Sequence, residues 1–152
     1  MTLRDILQAK GTDVFTTTPR VSLQEAVDEM VRRGCGSLVV VDQPGSRRLM
    51  GIITERDILK TCASRNKALG EIDVSAAMSS RVHTVAPDDS VSDIMGLMTG
   101  KRIRHIPIIE DGQLAGIISI GDVVKAQHDE LMLENHCLKS YIHGDPSGSA
   151  IF

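Results

Sequence analysis

The sequence predicts an α+β fold in which two β-α-β-β-α repeats pack as a pseudo-two-fold pair, with extra helices at the N- and C-termini. The first observation is that GIITERD at Gly51–Asp57 recurs as GIISIGD at Gly116–Asp122. The second is that a polar segment ending at Pro19 recurs before Pro87, each time followed by apolar residues at helical spacing. Because neither half can cover both faces of its own sheet, the halves are expected to share a core.

The spacing of the two copies differs only inside a loop. Pro19 and Pro87 are 68 residues apart, whereas Asp57 and Asp122 are 65 residues apart. The difference falls in the turn of the first hairpin, residues 43–48, which is the longer of the two turns. Insertions are tolerated at loop tips, so the shift in spacing supports the repeat.

Each repeat begins with a short strand that ends at its proline and is followed by a helix. Ser22 and Ser90 stand where the N-caps of these helices belong, and Glu25 and Asp93 follow three residues later. A serine followed at this spacing by an acidic residue is typical of a helix N-terminus.

A hairpin completes each repeat, and its turn is clearest in the second. Asp111-Gly112 separates the apolar runs 106–109 and 114–118, and Asp-Gly between such runs predicts a tight β-turn. Ser119 then stands at the N-cap position of the next helix.

Several polar groups are predicted to meet at the end of this hairpin. Ser119 and Asp122 lie at the start of the helix, and Arg104 and His105 lie at the start of the opposite strand. A hydroxyl, a carboxylate, free helix amides and two cationic side chains suit a phosphorylated sugar.

The chain divides into a tandem domain and a C-terminal extension. The tandem domain spans 1–127, with repeat one at 12–62 and repeat two at 76–127; the C-terminal helix spans 128–143, and a flexible tail spans 144–152. Met1–Gly11 is predicted to be a leading helix, residues 63–75 a linker, and the terminal helical pattern runs from Ala126 to about Tyr141.

The composition argues against several classes of function. Only 2% of the 152 residues are aromatic, none is tryptophan, and the formal net charge is −3, so no nucleic-acid partner is expected. The three cysteines lack the spacing of a disulfide framework or a zinc site. No metal site is predicted, because His128, His136 and His143 are too far apart for chelation within one helical turn. No stretch has the length of a membrane span and the N-terminus lacks a secretory pattern, so we expect a cytoplasmic protein without a membrane partner.

The repeated pattern resembles the cystathionine-β-synthase (CBS) domain, here as a tandem pair similar to small stand-alone bacterial CBS-pair proteins. The resemblance covers about residues 12–127. It depends on the following motifs: Thr17-Thr18-Pro19 and Val85-Ala86-Pro87, Arg104-His105-Ile106-Pro107, Gly51–Asp57 and Gly116–Asp122.

The resemblance implies a regulatory module that binds an adenosine-type nucleotide (AMP, ADP, ATP, NAD or S-adenosylmethionine) between the repeats. By the family pattern, Asp57 in one site and Asp122 in the other would hold the ribose hydroxyls, and Thr54 or Ser119 would contact ribose or phosphate. Arg104 and His105 would contact phosphate, with Arg56 and Lys101 supplementing the weaker site. The base would lie against Gly11, Thr12, Cys35 and Gly36 in the Asp122 site, and against Ser80, Val82, Ile103 and Pro107 in the Asp57 site.

Plainer roles for the same residues stay open. Asp57 and Asp122 could serve only as helix caps, which is the ordinary role of an acidic residue in this motif. Arg104 could pair with Glu110 or Asp111, and His105 could be a partly buried histidine without a ligand.

The predicted function is that of a non-enzymatic sensor, with the nucleotide as a regulatory ligand and no required cofactor. A homodimer is expected through the helix faces around Ile58-Leu59 and Val123-Val124, as in the family, and the regulated partner protein is unknown. The alternative is a constitutive interaction or dimerisation module whose function depends on the terminal helix. A third class, a nucleotide-hydrolysing enzyme, would need a base or metal that the sequence does not indicate.

Overall fold

The computed structural model describes the backbone of residues 1–142 and the side chains of residues 1–139. His143 and the predicted tail 144–152 therefore lie outside the described residues. The helices are α1 (Leu3–Lys10), α2 (Leu23–Arg33), α3 (Glu55–Ser64), α4 (Val74–Ala77), α5 (Val91–Lys101) and α6 (Ile120–Ile142), with a 3₁₀ turn at Leu69–Glu71. The strands are β1 (Thr16–Thr17), β2 (Ser37–Val41), β3 (Leu49–Thr54), β4 (His105–Glu110) and β5 (Gln113–Ser119).

Repeat one forms a three-stranded sheet in the order β1-β2-β3, with β1 parallel and β3 antiparallel to β2. The run Leu38–Val41 is buried along its whole length, which explains why the sequence of β2 shows no polar alternation. Helix α2 packs on this sheet through Leu23, Ala26 and Met30. Its N-terminus is capped as predicted, because the Ser22 hydroxyl accepts a hydrogen bond from the Glu25 amide at 3.2 Å.

Repeat two contains the predicted hairpin β4-β5, but its opening strand is reduced to a single bridge between Val85 and Ile108. The turn is as predicted, with positive φ at both Asp111 (53°) and Gly112 (75°). The opening strand is short for a chemical reason. In repeat one the Val39 amide donates a hydrogen bond to the Phe15 carbonyl. The equivalent residue in repeat two is Pro107, which has no amide hydrogen and cannot make this bond.

The segments in front of the two repeats are exchanged. Helix α1 packs into the core of repeat two through Leu3, Ile6 and Leu7, and the Leu3 amide donates to the Asp89 carbonyl at 3.0 Å. In the same way, Ile72 and Val74 pack into the core of repeat one, and the Val74 amide donates to the Val21 carbonyl at 2.8 Å. The predicted linker 63–75 is thus wrong for its second half. Two apolar positions within a polar stretch were too short a pattern to indicate burial.

A third apolar cluster joins the two sheets. Val39 and Val41 of β2 and Leu114 of β5 form its buried part. Arg47 strengthens this contact, because its carbonyl accepts from the Leu114 amide and its guanidinium donates to the Leu114 carbonyl, both at 2.9 Å. The expectation of a core shared by the two halves is confirmed.

The C-terminal helix is continuous with the last helix of repeat two, so α6 begins at Ile120 rather than near Ala126. Only one residue of each apolar pair predicted to form the dimer contact is exposed. Ile58 and Val123 are buried in the two cores, and only Leu59 and Val124 face solvent. Within the described residues, no helix is long and apolar enough to cross a membrane.

Because α1 packs into the core of repeat two, we predict that α1 stabilises that repeat, although the two are far apart in the sequence. Replacing the fully buried Leu3 with alanine should lower the free energy of unfolding by about 2–5 kcal/mol, because the mutation leaves a cavity in the core of repeat two. Urea denaturation followed by circular dichroism measures the change. Leu133→Ala is the matched control, since Leu133 is 65% exposed on α6. Equal effects of the two substitutions would contradict the packing of α1.

Candidate functional site

The second hairpin strand of each repeat runs into a helix that is closed by a reciprocal cap. The Thr54 amide donates to Asp57 Oδ2 at 2.9 Å, and the Asp57 amide donates to Thr54 Oγ1 at 3.4 Å. Ser119 and Asp122 make the same two bonds at 2.9 and 3.1 Å. Both aspartates are therefore helix caps. Every hydrogen bond that they accept from the described residues goes to Oδ2, so Oδ1 of each carboxylate can accept from a ligand.

The capped end at Asp57 lies in a groove between the repeats, whereas Ser119 and Asp122 are not part of its lining. In repeat one the Glu55 amide donates to the Gly36 carbonyl at 3.0 Å, and in repeat two the Ile120 amide donates to the Arg104 carbonyl at 2.8 Å. The groove has a cavity volume of about 700 Å³, which is within the range of small-molecule sites. Its lining consists of Gly36, Ile52, Thr54, Glu55, Arg56, Asp57, Leu59, Ser79, Lys101, Arg102, Ile103, Arg104 and His105.

Seven of the fifteen residues proposed from the sequence line this groove: Gly36, Thr54, Arg56, Asp57, Ile103, Arg104 and His105. Gly36 was assigned to the Asp122 site but lies in the groove beside Asp57. A Cβ on Gly36 would lie 2.5 Å from the Glu55 carboxylate, so a side chain at this position would require Glu55 to move. Arg104 and His105 line the same groove, so the cationic residues of repeat two lie with the acidic residue of repeat one.

The other eight proposed residues are not part of this lining: Gly11, Thr12, Cys35, Ser80, Val82, Pro107, Ser119 and Asp122. Pro107 is buried inside β4, where its ring packs in the sheet. Ser79, rather than Ser80, reaches the groove because Ser79 and Ile52 exchange backbone hydrogen bonds at 2.9 and 3.0 Å. An offset of one residue in an extended segment moves the side chain to the opposite side.

At the start of α6, Lys10 interacts directly with Asp122. Its ammonium group lies 2.7 Å from Asp122 Oδ2 and donates to the Ile117 carbonyl at 3.0 Å. The equivalent carbonyl of repeat one, on Ile52, accepts instead from the Ser79 amide. The difference follows from helix length, because α1 has eight residues and α4 has four. No periodic pattern in the sequence indicates this contact.

The environment of Asp122 stabilises its ionised form. Burial raises the pKa of this carboxyl group, but the hydrogen bond from Lys10 and the two from Ser119 outweigh burial, so the pKa lies below its ordinary value of 3.8. Asp122 is thus paired with a cation from the same chain, whereas Asp57 forms no ion pair with any described residue.

The groove has more cationic than acidic side chains. Its lining contains two acidic residues, Glu55 and Asp57, and four cationic residues, Arg56, Lys101, Arg102 and Arg104. None of the four cations forms an ion pair within the described part of the chain. Glu110, an alternative partner of Arg104, is paired with Arg4 at 3.3 Å. Arg104 is exposed and can contact an anionic ligand.

His105 lines the groove and is influenced by charged groups of both repeats. Burial and the neighbouring Arg104 lower its pKa, while Asp122 and Glu55 raise it and Lys10 lowers it further; the net shift is below its ordinary value of 6.5. The imidazole is therefore neutral at pH 7 in the free protein and can donate one hydrogen bond. An anion bound beside it would favour the protonated form.

The fold and this groove define a class of protein, a pair of similar α+β repeats that encloses a polar site between its halves. The family model of the CBS domain matches residues 3–64 and 70–129, and the chain belongs to the CBS-domain family. CBS pairs are in general regulatory, ligand-binding modules.

Relatives of similar size share this fold. The chain is 36% identical to the mitochondrial CBS domain-containing protein CBSX3 of Arabidopsis thaliana, over 94% of this chain and 72% of that protein. It is 35% identical to the CBS domain-containing protein YhcV of Bacillus subtilis, over 76% and 80%. A crystal structure of a CBS-domain protein from Agrobacterium tumefaciens superposes with a TM-score of 0.78 at 42% identity, covering 84% of this chain and 99% of that one.

Removing the ammonium group of Lys10 should change how stability depends on pH. The pKa of Asp122 is lower in the folded than in the unfolded protein, so its stabilising contribution is present above pH 3.8 and is lost as the pH falls through the folded value. Lys10→Met should raise the folded pKa of Asp122 and reduce this contribution at neutral pH. A carboxyl-detected NMR titration and urea denaturation at several pH values measure both effects. Lys67→Met is the control, because Lys67 is exposed in a loop. An unchanged Asp122 titration in Lys10→Met would refute the contact.

Proposed function

We propose that this protein is a regulatory sensor that binds one adenosine-type nucleotide in the groove beside Asp57 and performs no chemistry of its own. The observation that supports the proposal most directly is the composition of the groove. A capped carboxylate with a free oxygen stands beside four cations that have no ionic partner among the described residues. A ribose diol and a phosphate need these two kinds of group.

The residues suggest how such a ligand would be oriented. Asp57 Oδ1 would accept hydrogen bonds from the ribose hydroxyls, while Arg104 and His105 would donate to the phosphate. Ile52, Leu59 and Ile103 supply the apolar part of the lining and are suited to the faces of the base. The narrow space at Gly36 would let a base approach the backbone closely.

The Asp122 end is a poorer site in this proposal. A ligand there would have to displace Lys10 from Asp122, or leave the ion pair in place and lose the carboxylate as a hydrogen-bond acceptor. The two sites suggested by the family pattern should therefore differ in affinity, and we expect one nucleotide per chain at moderate ligand concentrations.

A ligand in the groove would act by shifting a conformational equilibrium. The lining comes from both repeats, with Asp57 at the start of α3 and Arg104 at the start of β4. A nucleotide that contacts both would favour arrangements in which the repeats are held together, and helix α6 would transmit the change to a partner. The regulated protein would be recognised outside the groove.

A thermal-shift series tests the proposal with matched variants. Adenosine, AMP, ADP, ATP, NAD and S-adenosylmethionine are added to the wild type, Asp57→Asn and Asp122→Asn. Both substitutions change the same residue of an equivalent helix cap, and Asp122→Asn also removes the ion pair with Lys10, so each variant is compared with its own ligand-free melting temperature. At least one ligand should raise the melting temperature of the wild type and of Asp122→Asn by mass action, and the rise should be lost in Asp57→Asn.

The opposite result has a clear meaning. If no compound shifts the melting temperature at millimolar concentration, the nucleotide proposal fails, and the constitutive interaction module becomes the better interpretation. Exposed apolar residues on α6, among them Leu131, Met132 and Leu133, then indicate where a protein partner would bind.

We also propose that the protein forms a homodimer through α3 and α6. Leu59 and Val124 are equivalent positions of the two repeats, and they are 70% and 51% exposed although both are apolar. Both are available to an isologous contact, and because Leu59 also lines the groove, the proposed interface borders the nucleotide site on α3. A related structure, a CBS-CP12 protein from bloom-forming cyanobacteria with 26% identity and a TM-score of 0.68, is hexameric.

Val124→Glu should convert the dimer to a monomer, because the contact would bring two like charges close together across an apolar interface. Size-exclusion chromatography with light scattering gives the mass of each species. Val31→Glu is the control, since Val31 is 78% exposed on α2, outside the proposed contact. A dimer that persists unchanged in Val124→Glu, or a wild type that is already monomeric, would overturn this proposal.

A further inference from the structure

Arg102 has an unusual backbone conformation for its residue type. It follows the last residue of α5 with φ 55° and ψ 40°, in the left-handed region. The equivalent residue of repeat one is Gly34, which ends α2 with φ 65° and ψ 34°. Glycine is favoured at this position because a Cβ is strained there. Among the described residues the only other non-glycine with positive φ is Asp111, in a turn that favours aspartate.

The position of the Arg102 side chain suggests why the strained residue is an arginine. Arg102 lines the groove together with Lys101 and Arg104, so repeat two contributes three cations to it. Arg56 stands on α3, which belongs to the other repeat. Strained residues are retained where the surrounding structure uses them, and here the side chain adds a cation to the site.

The number of cations exceeds what one phosphate needs. In the proposed nucleotide orientation, Arg104 and His105 already serve the first phosphate. Lys101 and Arg102 also line the groove, at the C-terminal end of α5, and neither forms an ion pair with a described residue. They are therefore free to pair with additional phosphates beyond the first.

We infer that the groove selects an adenosine ligand with at least two linked phosphates, and that Arg102 is the residue that distinguishes it from the monophosphate. The inference rests on the proposed nucleotide function of the same groove and adds the chemical class of its ligand. It also assigns Arg102 a role in ligand selection that a purely structural helix cap would not have.

The test uses the opposite effects that Arg102→Gly should have on folding and binding. Glycine relieves the left-handed strain, so the melting temperature of the free protein should rise by about 2–4 °C. In the same variant the affinity for ADP and ATP should fall about tenfold, while the affinity for AMP should change less than twofold. Isothermal titration calorimetry at constant ionic strength gives the affinities. A general loss of stability cannot explain weaker binding by a more stable protein.

Two further variants separate charge from backbone effects. Arg102→Lys keeps the charge and the strain and should retain the preference for ADP over AMP. Arg102→Asn removes the charge but tolerates the left-handed conformation, and it should lose that preference as glycine does. Lys67→Ala removes an exposed cation outside the groove and should leave all affinities unchanged.

The outcomes distinguish this inference from the function on which it rests. If AMP binds the wild type as tightly as ADP, or if Arg102→Gly weakens AMP and ADP equally, the inference is overturned while the nucleotide proposal stands. If no adenosine compound binds, tripolyphosphate serves as a probe of the cations alone. Its binding to the wild type and loss in Arg102→Gly would support the phosphate-selecting role of Arg102, although the nucleoside assignment would have failed. If tripolyphosphate does not bind either, both the inference about Arg102 and the nucleotide proposal are overturned.

Discussion

The exchange of the segments that precede the two repeats is the constraint on which the rest of the structure depends. Helix α1 completes the core of repeat two, and the segment containing Ile72 and Val74 completes the core of repeat one. Neither repeat can be removed without leaving apolar residues of the other exposed. The exchange also fixes the groove, because α1 brings Lys10 to Asp122 and the segment after α4 brings Ser79 to Ile52.

One of the two helix-capping aspartates, Asp57, also lines the groove. Asp57 and Asp122 satisfy amides at the starts of α3 and α6, which is a structural role that the sequence already indicated. Structural and ligand-binding roles are compatible here because the cap uses Oδ2 and leaves Oδ1. The structure therefore does not force a choice between the two interpretations of the motif. It shows instead that one aspartate is paired with an internal cation and the other is not.

The fold could be predicted because its signals are local and occur twice. The Asp111-Gly112 turn depends on two adjacent residues. The serine caps also depend on a few adjacent residues, and they occur in both repeats. The site was predicted less completely because its residues come from different repeats. The family pattern assigned Gly36 to the Asp122 site, whereas in the structure Gly36 lines the groove together with Asp57. The contact of Lys10 depends on the length of α1 and its docking angle, and no spacing rule encodes these.

The asymmetry of the groove follows from where the two copies differ. Repeat two has Arg102 and Arg104 at positions where repeat one has glycine, and repeat one has Arg56 where repeat two has Gly121. These substitutions all place their cations in the lining of the same groove. A chain with a net charge of −3 thereby acquires a local excess of positive charge, which would concentrate anionic ligands at one site. Pseudo-symmetry supplies the scaffold, and the departures from it determine where the excess of positive charge lies.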